Sequence, residues 1–483
     1  MSSTPGSWRE ALSQRAFARV DVAPLVWARV VFGLLMAVEI ARYFAHGWIR
    51  QYYIEPTFHF TYPGFDWVRP MPAAGMYALF GGLGIASALV AVGLFHRWAA
   101  LFFAVGFSYV FLLDQTHYLN HAYLICLFSF LMACVPAASA GSLDARRAGR
   151  SGETAPAWAR WLLGAQIAVV YVYGGIAKLD GDWLSGAPAE SLLEGWDVMT
   201  LLGRSAAGRL AFVWAGLLFD LLIVPALLWR RTRLAATLAA AAFHLTNARL
   251  FQIGIFPWMM LALTPLFYPA AWTRRALSRL RILAPAAPVE EPARVADEAP
   301  VEASAREPAG ATAREPAEAP RPWILAALGV YLAWQLLFPL RHWLYPGQVN
   351  WTEEGHDFSW HMKLRVKRGE VRFVAHDPDT GESWDIDPRA HVTARQLRVM
   401  AMRPEMIRQL ANELRRRNIA SGHPNVQIHA LALVSLNGRP RRLLVDPAVD
   451  LGRVRHTWGP ASWIMPLDDS NPAAAPGTPL EED

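Results

Sequence analysis

Apolar blocks long enough to cross a bilayer dominate this chain and leave it few possible folds. About nine can be counted, over residues 24–44, 73–94, 98–113, 119–136, 158–178, 208–229, 234–248, 250–268 and 323–340. Roughly 20 apolar residues in a helix cover the ~30 Å hydrocarbon core, because each residue adds about 1.5 Å. Backbone amides in lipid must be satisfied within the segment itself, so blocks of this length are expected as helices. Composition agrees: 54% of residues are hydrophobic and 18% charged, against about 25% charged in an ordinary soluble protein. The first block carries Glu39 and no small-residue cleavage motif, and is read as a retained span.

Charge placement orients the blocks. His96-Arg97, then Arg146, Arg147 and Arg150, then Arg230, Arg231 and Arg233, then Arg274, Arg275, Arg279 and Arg281 all fall in connections on one side. The segment Asp180 to Asp197 falls on the other side, with five acidic residues and no basic one. Cytoplasmic loops carry the arginine excess, so the amino terminus is expected in the cytoplasm. The same placement accounts for the net charge of +6. No finger, helix-turn-helix or stacked-aromatic pattern accompanies it, and nucleic acid is not an expected partner.

The remaining segments differ in material. Residues 1–283 are expected to form a bundle of eight spans and residues 323–343 a ninth. Residues 284–322 are rich in Pro, Ala and Glu, with near-repeats at Ala305–Ala309 and Ala313–Ala317, and read as a disordered cytoplasmic linker. Residues 344–467 read as a periplasmic or luminal α+β domain, and 468–483 as a disordered tail. Within that domain, Met362–Arg368 and Val371–Ala375 alternate across an apparent turn, which predicts a hairpin. Residues 394–417 are helical in pattern, with Pro404 as a possible break. Val426–Leu436, Asn437-Gly438 and Arg442–Val445 predict a second hairpin. The expected fold is a polytopic α-helical membrane protein with a C-terminal α+β extramembrane domain.

Within this apolar frame a few polar residues stand out. Lys178 ends the run Trp161–Ala177, where it must reach water, find a partner or give up its proton. An outward anchor paired with Asp180 or Asp182 is the structural alternative to catalysis. Gly174 and Gly175, one turn earlier, leave room for a ligand or a neighbouring helix. Asn120 and His121 open another block; Asp114, His117 and His121 share one side if that stretch is helical. His244 and Asn247 share a face of a third block, and Arg249 beyond them is placed to hold an anion near the outer surface. Helix-to-helix hydrogen bonding is the competing role for these groups. The spacings match no zinc signature, so no metal is expected. Cys126 and Cys134, about 12 Å apart on a helix, cannot bridge each other. The aromatic-rich loop Gln51–Met71 serves as an interfacial anchor or as a roof over a flat apolar ligand.

Several stretches carry a resemblance when taken together: Asn120–Leu124, Tyr171–Trp183 (with Lys178-Leu-Asp-Gly-Asp-Trp183) and His244–Pro257 in the membrane part, and Trp351-Thr-Glu-Glu-Gly-His-Asp-Phe-Ser-Trp360, Val445–Asp450 and Ser462–Pro466 in the outer part. They resemble the vitamin K-dependent gamma-carboxylase family and its bacterial relatives. The resemblance implies a bacterial inner-membrane enzyme using reduced vitamin K (phylloquinol or menaquinol), O2 and CO2. It implies that Lys178 deprotonates the hydroquinone and that oxygen addition then generates a base strong enough to take a glutamate γ-proton. The carbanion captures CO2 and the quinone leaves as its epoxide. His121 is implied in proton transfer at that carbanion, and Asn120 in holding hydroquinone or substrate. The strip His244, Asn247 and Arg249 is assigned to orienting carboxylate. Longer animal members join the two parts by a disulfide, for which neither Cys126 nor Cys134 is placed, and have a second lysine where this chain has Ala177.

The expected activity is therefore vitamin K hydroquinone-dependent gamma-glutamyl carboxylation of a peptide or protein, in contact with membrane lipid. A quinol-linked oxidoreductase or epoxidase without carboxylation is the alternative. A receptor or transporter using Lys178 as a counter-charge is a third, non-enzymatic reading.

Overall fold

The computed structural model describes residues 8–149, 152–193, 197–251, 253–285, 321–468 and 470–471. Most of the expected linker (286–320) and of the expected tail lies outside the described residues. The apolar blocks fold as helices α1 (Ala23–Ala45), α2 (Ala73–Val92), α3 (His96–Leu112), α4 (Asn120–Cys134), α5 (Ala157–Ile176), α6 (Ala206–Leu228), α7 (Arg233–Phe251), α8 (Phe256–Leu263) and α9 (Pro322–Leu337).

Among the described residues, five helices rather than nine are long and apolar enough to cross a membrane: α1, α2, α5, α6 and the continuous stretch from α9 to Leu344. The discrepancy has a simple origin. Helices α3 and α4 have 17 and 15 residues, which reach about 25 and 22 Å. The turn between them withdraws Asp114 to Leu119 from both. Helix α7 has 19 residues but includes Arg233, His244 and Arg249, and α8 is extended to Phe267 only by a 3-10 turn.

The arginine-bearing connections gather at one end of the bundle. Strand β1 (Arg19–Asp21) pairs antiparallel with β2 (Thr154–Pro156), next to the starts of α1 and α5. Arg274 holds Asp21 through two hydrogen bonds of 2.6 and 2.8 Å. The Asp144 carboxylate accepts from the amides of Phe95 and His96, both at 2.9 Å, at the start of α3. Arg160 donates to the Leu266 carbonyl at 3.0 Å. The opposite end carries Lys178, Asn120 and the outer domain.

That domain is a four-stranded antiparallel sheet, order β4-β3-β5-β6, built from β3 (Lys367–His376), β4 (Ser383–Ile386), β5 (Gln427–Leu436) and β6 (Arg442–Leu443). Helix α11 (Pro404–Ala420) covers it. Its buried Met406, Ile407, Leu410, Ala411 and Leu414 fall at helical spacing and face Ile428, Ala430, Ala432 and Val434, which alternate along β5. Pro404 does divide the helical stretch, with α10 (Ala394–Met400) before it. The second hairpin forms: β5 and β6 pair across Asn437 (φ 52°) and Gly438 (φ 77°). The first does not. Residues 367–376 are one strand, whose hairpin partner is Ser383–Ile386. Phe358, Trp360 and Lys363 sit at φ 62°, 59° and 53°, which prevents an extended strand before Lys367. Gly369, in the apparent turn, is instead a point of close approach, where a Cβ would lie 2.8 Å from Val434 Cγ2 and 2.9 Å from the Ala401 carbonyl oxygen.

Candidate functional site

Lys178 lies two residues beyond α5 and is 5% exposed. Its Nζ donates to the Gly174 carbonyl at 3.1 Å and to Asp220 Oδ2 of α6 at 2.5 Å. It also stands 5.4 Å from the centre of the Trp183 ring. Neither Asp180 nor Asp182 pairs with it. Asp180 caps a short turn, accepting from the amide of Asp182 at 3.0 Å. Asp182 faces the outer domain, accepting from Arg439 at 2.5 and 2.6 Å and from Asn437 Nδ2 at 2.8 Å. Trp183 turns back over the lysine and donates to the Val213 carbonyl at 3.0 Å. The segment Lys178–Trp183 thus supplies a buried cation, a cap, a domain clasp and a lid.

The paired glycines admit a helix. A Cβ at Gly175 would lie 2.6 Å from Leu221 Cδ2, and one at Gly174 would lie 3.2 Å from Asp220 Oδ2. Helices α5 and α6 therefore meet closely enough for the ion pair to form. Asp220 is the residue missed by sequence reasoning. Its signal was a lone carboxylate in the apolar run Leu210–Leu228.

Beside the pair is a cavity of about 580 Å³, lined by Lys178, Asp220, Tyr171, Trp183, His244 and Asn247 among largely apolar neighbours. The Tyr171 hydroxyl and His244 Nε2 are 2.7 Å apart. His244 Nδ1 is buried with no partner among the described residues. Arg249 is exposed and does not line this cavity.

A second cavity of about 420 Å³ is lined by Asn120 and His121 together with the outer-domain residues His361, Lys363, Arg365 and Arg403. Asn120 accepts from the Tyr118 hydroxyl at 3.0 Å and donates to the His361 carbonyl at 2.9 Å. The His121 ring stacks on Phe256 at 5.8 Å, and Phe256 meets His244 edge-on at 6.2 Å. Ile253, Phe256, Met362 and Lys363 line both cavities. The two chambers share that wall, with Lys178, His244 and Asn247 on one side and Asn120 and His121 on the other.

The side-chain alignment of Asp114, His117 and His121 does not occur, because a 3-10 turn (Gln115–His117) and extended Leu119 interrupt the helix. Asp114 accepts from Gln396 Nε2 at 2.8 Å, and His117 Nδ1 accepts from Arg395 Nε at 3.2 Å, so both dock the outer domain. The Trp351–Gly355 motif is structural and electrostatic. Trp351 is buried and donates to the Met465 carbonyl at 2.7 Å. Glu353 accepts from Lys367 at 3.1 Å and from Arg365. Burial opposes ionisation of Glu353, yet Arg365 and Lys367 hold its carboxyl well below the usual range. Burial pushes Lys363 below the usual lysine value. No cluster of three or more potential metal ligands occurs among the described residues.

Comparison with known families adds two matches. Residues 17–272 match the HTTM domain, and residues 320–470 match the vitamin K-dependent gamma-carboxylase lumenal domain. The chain belongs to the vitamin K-dependent gamma-carboxylase family. No solved structure matches it. Both cavities of this carboxylase-family protein lie within the matched residues, and their shared wall combines α8 of the first match with Met362 and Lys363 of the second. Membership makes it a membrane enzyme of the general quinol-oxidising, epoxidation-linked type.

Proposed function

We propose that this protein carboxylates glutamate side chains of a peptide or protein, drawing the energy from oxidation of a vitamin K-type hydroquinone (phylloquinol or menaquinol) by O2, with CO2 as the carbon source. The observation carrying this reading is the pair of adjoining chambers: one apolar and built around Lys178–Asp220, the other polar and reaching the outer domain past Asn120 and His121. A flat apolar quinol suits the first, where aromatic rings, Lys178 and His244 Nδ1, which has no partner among the described residues, meet it. When bound, the quinol supplies a base far stronger than any side chain.

The protein's residues then have separate tasks. The Lys178–Asp220 pair takes the hydroquinone hydroxyl proton: a proton shift to Asp220 across their hydrogen bond leaves Lys178 as the amine that accepts it. At rest, Asp220 supplies the counter-charge that the ammonium needs where water is excluded. The Tyr171–His244 hydrogen bond fixes the ring facing the quinol, with Asn247 one turn further on the same face. His121 moves a proton at the carbanion, and Asn120 holds the substrate backbone or hydroquinone. Lys363, in the shared wall, meets the substrate carboxylate in place of the exposed Arg249.

The same reading puts the amino terminus in the cytoplasm and residues 344–467 in the periplasm. Segregation of the arginine-bearing connections to one end of the bundle supports it. The test supplies purified protein with reduced vitamin K, labelled bicarbonate and a glutamate peptide. Label in the peptide together with epoxide is the expected result, while epoxide alone reduces the activity to quinol oxidation. Lys178→Ala should abolish both and regain activity with a small exogenous amine; an unchanged rate removes Lys178 from the chemistry.

A further inference from the structure

The polar chamber carries more positive charge than the chemistry proposed for it uses. Five cations line it: Lys363, Arg365, Lys367, Arg395 and Arg403. Three of them are matched by carboxylates. Glu353 accepts from Arg365 and Lys367, and Asp357 accepts from Arg403 Nη1 at 3.1 and 3.2 Å. Lys363 and Arg395 have no carboxylate partner among the described residues.

The two unmatched cations occupy different places. Lys363 belongs to the wall shared with the quinol chamber, whereas Arg395 lines the polar chamber alone. Arg395 opens α10, and its Nε donates to His117 Nδ1 at 3.2 Å. Its guanidinium also lies 5.0 Å from the centre of the Tyr52 ring. Neither partner is a carboxylate. Together they hold the guanidinium by one edge, and its Nη1 and Nη2 make no hydrogen bond among the described residues. An arginine fork fixed in this way loses little freedom on binding, and its planar pair of donors matches a carboxylate. The carboxylate formed from CO2 grows on the carbon that already bears the first one, at the Lys363 end. Arg395 is thus left for a different side chain.

We infer that Arg395 binds the carboxylate of a second acidic residue close to the target glutamate, so that the preferred substrate is a peptide segment with at least two neighbouring acidic side chains. The inference rests on the carboxylation reading for the identity of the first glutamate. A basic neighbour is disfavoured by the same charge, which makes the chamber selective as well as attractive.

The test is equilibrium binding of fluorescently labelled peptides to the purified full chain in detergent, followed by anisotropy. Each peptide carries one glutamate, with aspartate or asparagine placed one to four residues away on either side. Aspartate supplies the charge without adding a second glutamate. At one position or more, the aspartate peptide should bind roughly 10- to 100-fold more tightly than its asparagine twin, the worth of one charge-assisted hydrogen bond. Arg395→Gln should bring that ratio close to unity. The ratio is taken within one protein sample, so partial loss of folded protein does not move it. Equal affinity of the twins at every position in the parent, or the full aspartate preference retained in Arg395→Gln, overturns the inference. Labelled bicarbonate supplied with reduced vitamin K and the same peptides tests the underlying reading separately. Arg395-dependent preference with no label in any peptide refutes carboxylation and keeps the second-acid site; label without any aspartate preference keeps carboxylation and refutes the site.

Discussion

Removing both members of the Lys178–Asp220 pair should harm the fold less than removing either one. The two side chains are 7% and 5% exposed and 2.5 Å apart. At an effective dielectric of about 20 their attraction is roughly 6–7 kcal/mol. Desolvation offsets most of it, so the net worth of such a pair is near zero, whereas stranding one buried charge costs about 3–5 kcal/mol. Lys178→Met leaves Asp220 alone, but that carboxyl can take up a proton, which keeps the cost near the lower figure. Asp220→Leu leaves an ammonium with only the Gly174 carbonyl. The double variant Lys178→Met/Asp220→Leu should return to within about 1 kcal/mol of the parent, a coupling of at least about 5 kcal/mol. The assay is unfolding of detergent-solubilised protein by sodium dodecyl sulfate, followed by tryptophan fluorescence, for all four members of the cycle. Single effects that add to the double within about 0.5 kcal/mol would refute the reasoning, because they would mean that the two groups do not share a site.

Gly175→Ala forces a Cβ to within 2.6 Å of Leu221 Cδ2, and overpacking of this kind costs about 1–3 kcal/mol; a parental melting profile would show that α5 and α6 are not in close contact. Lys363→Met should raise the peptide KM by roughly 10- to 100-fold, the loss of one charge-assisted hydrogen bond, while the quinol KM stays put; the opposite split would move Lys363 out of the peptide chamber. In the outer domain, burial opposes ionisation of Glu405, but hydrogen bonds from Arg408 and His456 outweigh it and lower its carboxyl to about 2. Between about pH 4.5 and 2 the unfolded chain therefore binds more protons, so stability rises with pH there, and the pair contributes at most about 3 kcal/mol above that window. Glu405→Gln should flatten that acid limb in near-ultraviolet circular dichroism, and an identical limb would exclude Glu405 as its cause.

What the sequence disclosed and what it concealed divide along physical lines. Lys178 is conspicuous because a cation in an apolar run must have a reason to be there. Asp220 carries the same signal, but its pairing across 42 residues is a matter of tertiary contact. His244 and Asn247 are three apart and share a helix face, while Arg249, five from His244, is turned about 140° away, which removes it from the chamber they line. The span count overshot because apolar flanks in turns look like helix. The false hairpin before Gly369 had the right alternation, and only the left-handed Phe358, Trp360 and Lys363 reveal that the chain there winds around a cavity. The Asn437-Gly438 turn was legible because its chemistry is local; its docking on Asp182 was not.

That docking has a consequence for how the two halves stay together. Cys126 is buried and Cys134 exposed, and both are free thiols. Attachment through Asp182 and Arg439, whose side chains are 10% and 40% exposed, is ionic and partly wet, and so sensitive to electrolyte. Reductants should leave the halves engaged, whereas strong brine should loosen the grip and swing the loop beside Lys178 with it.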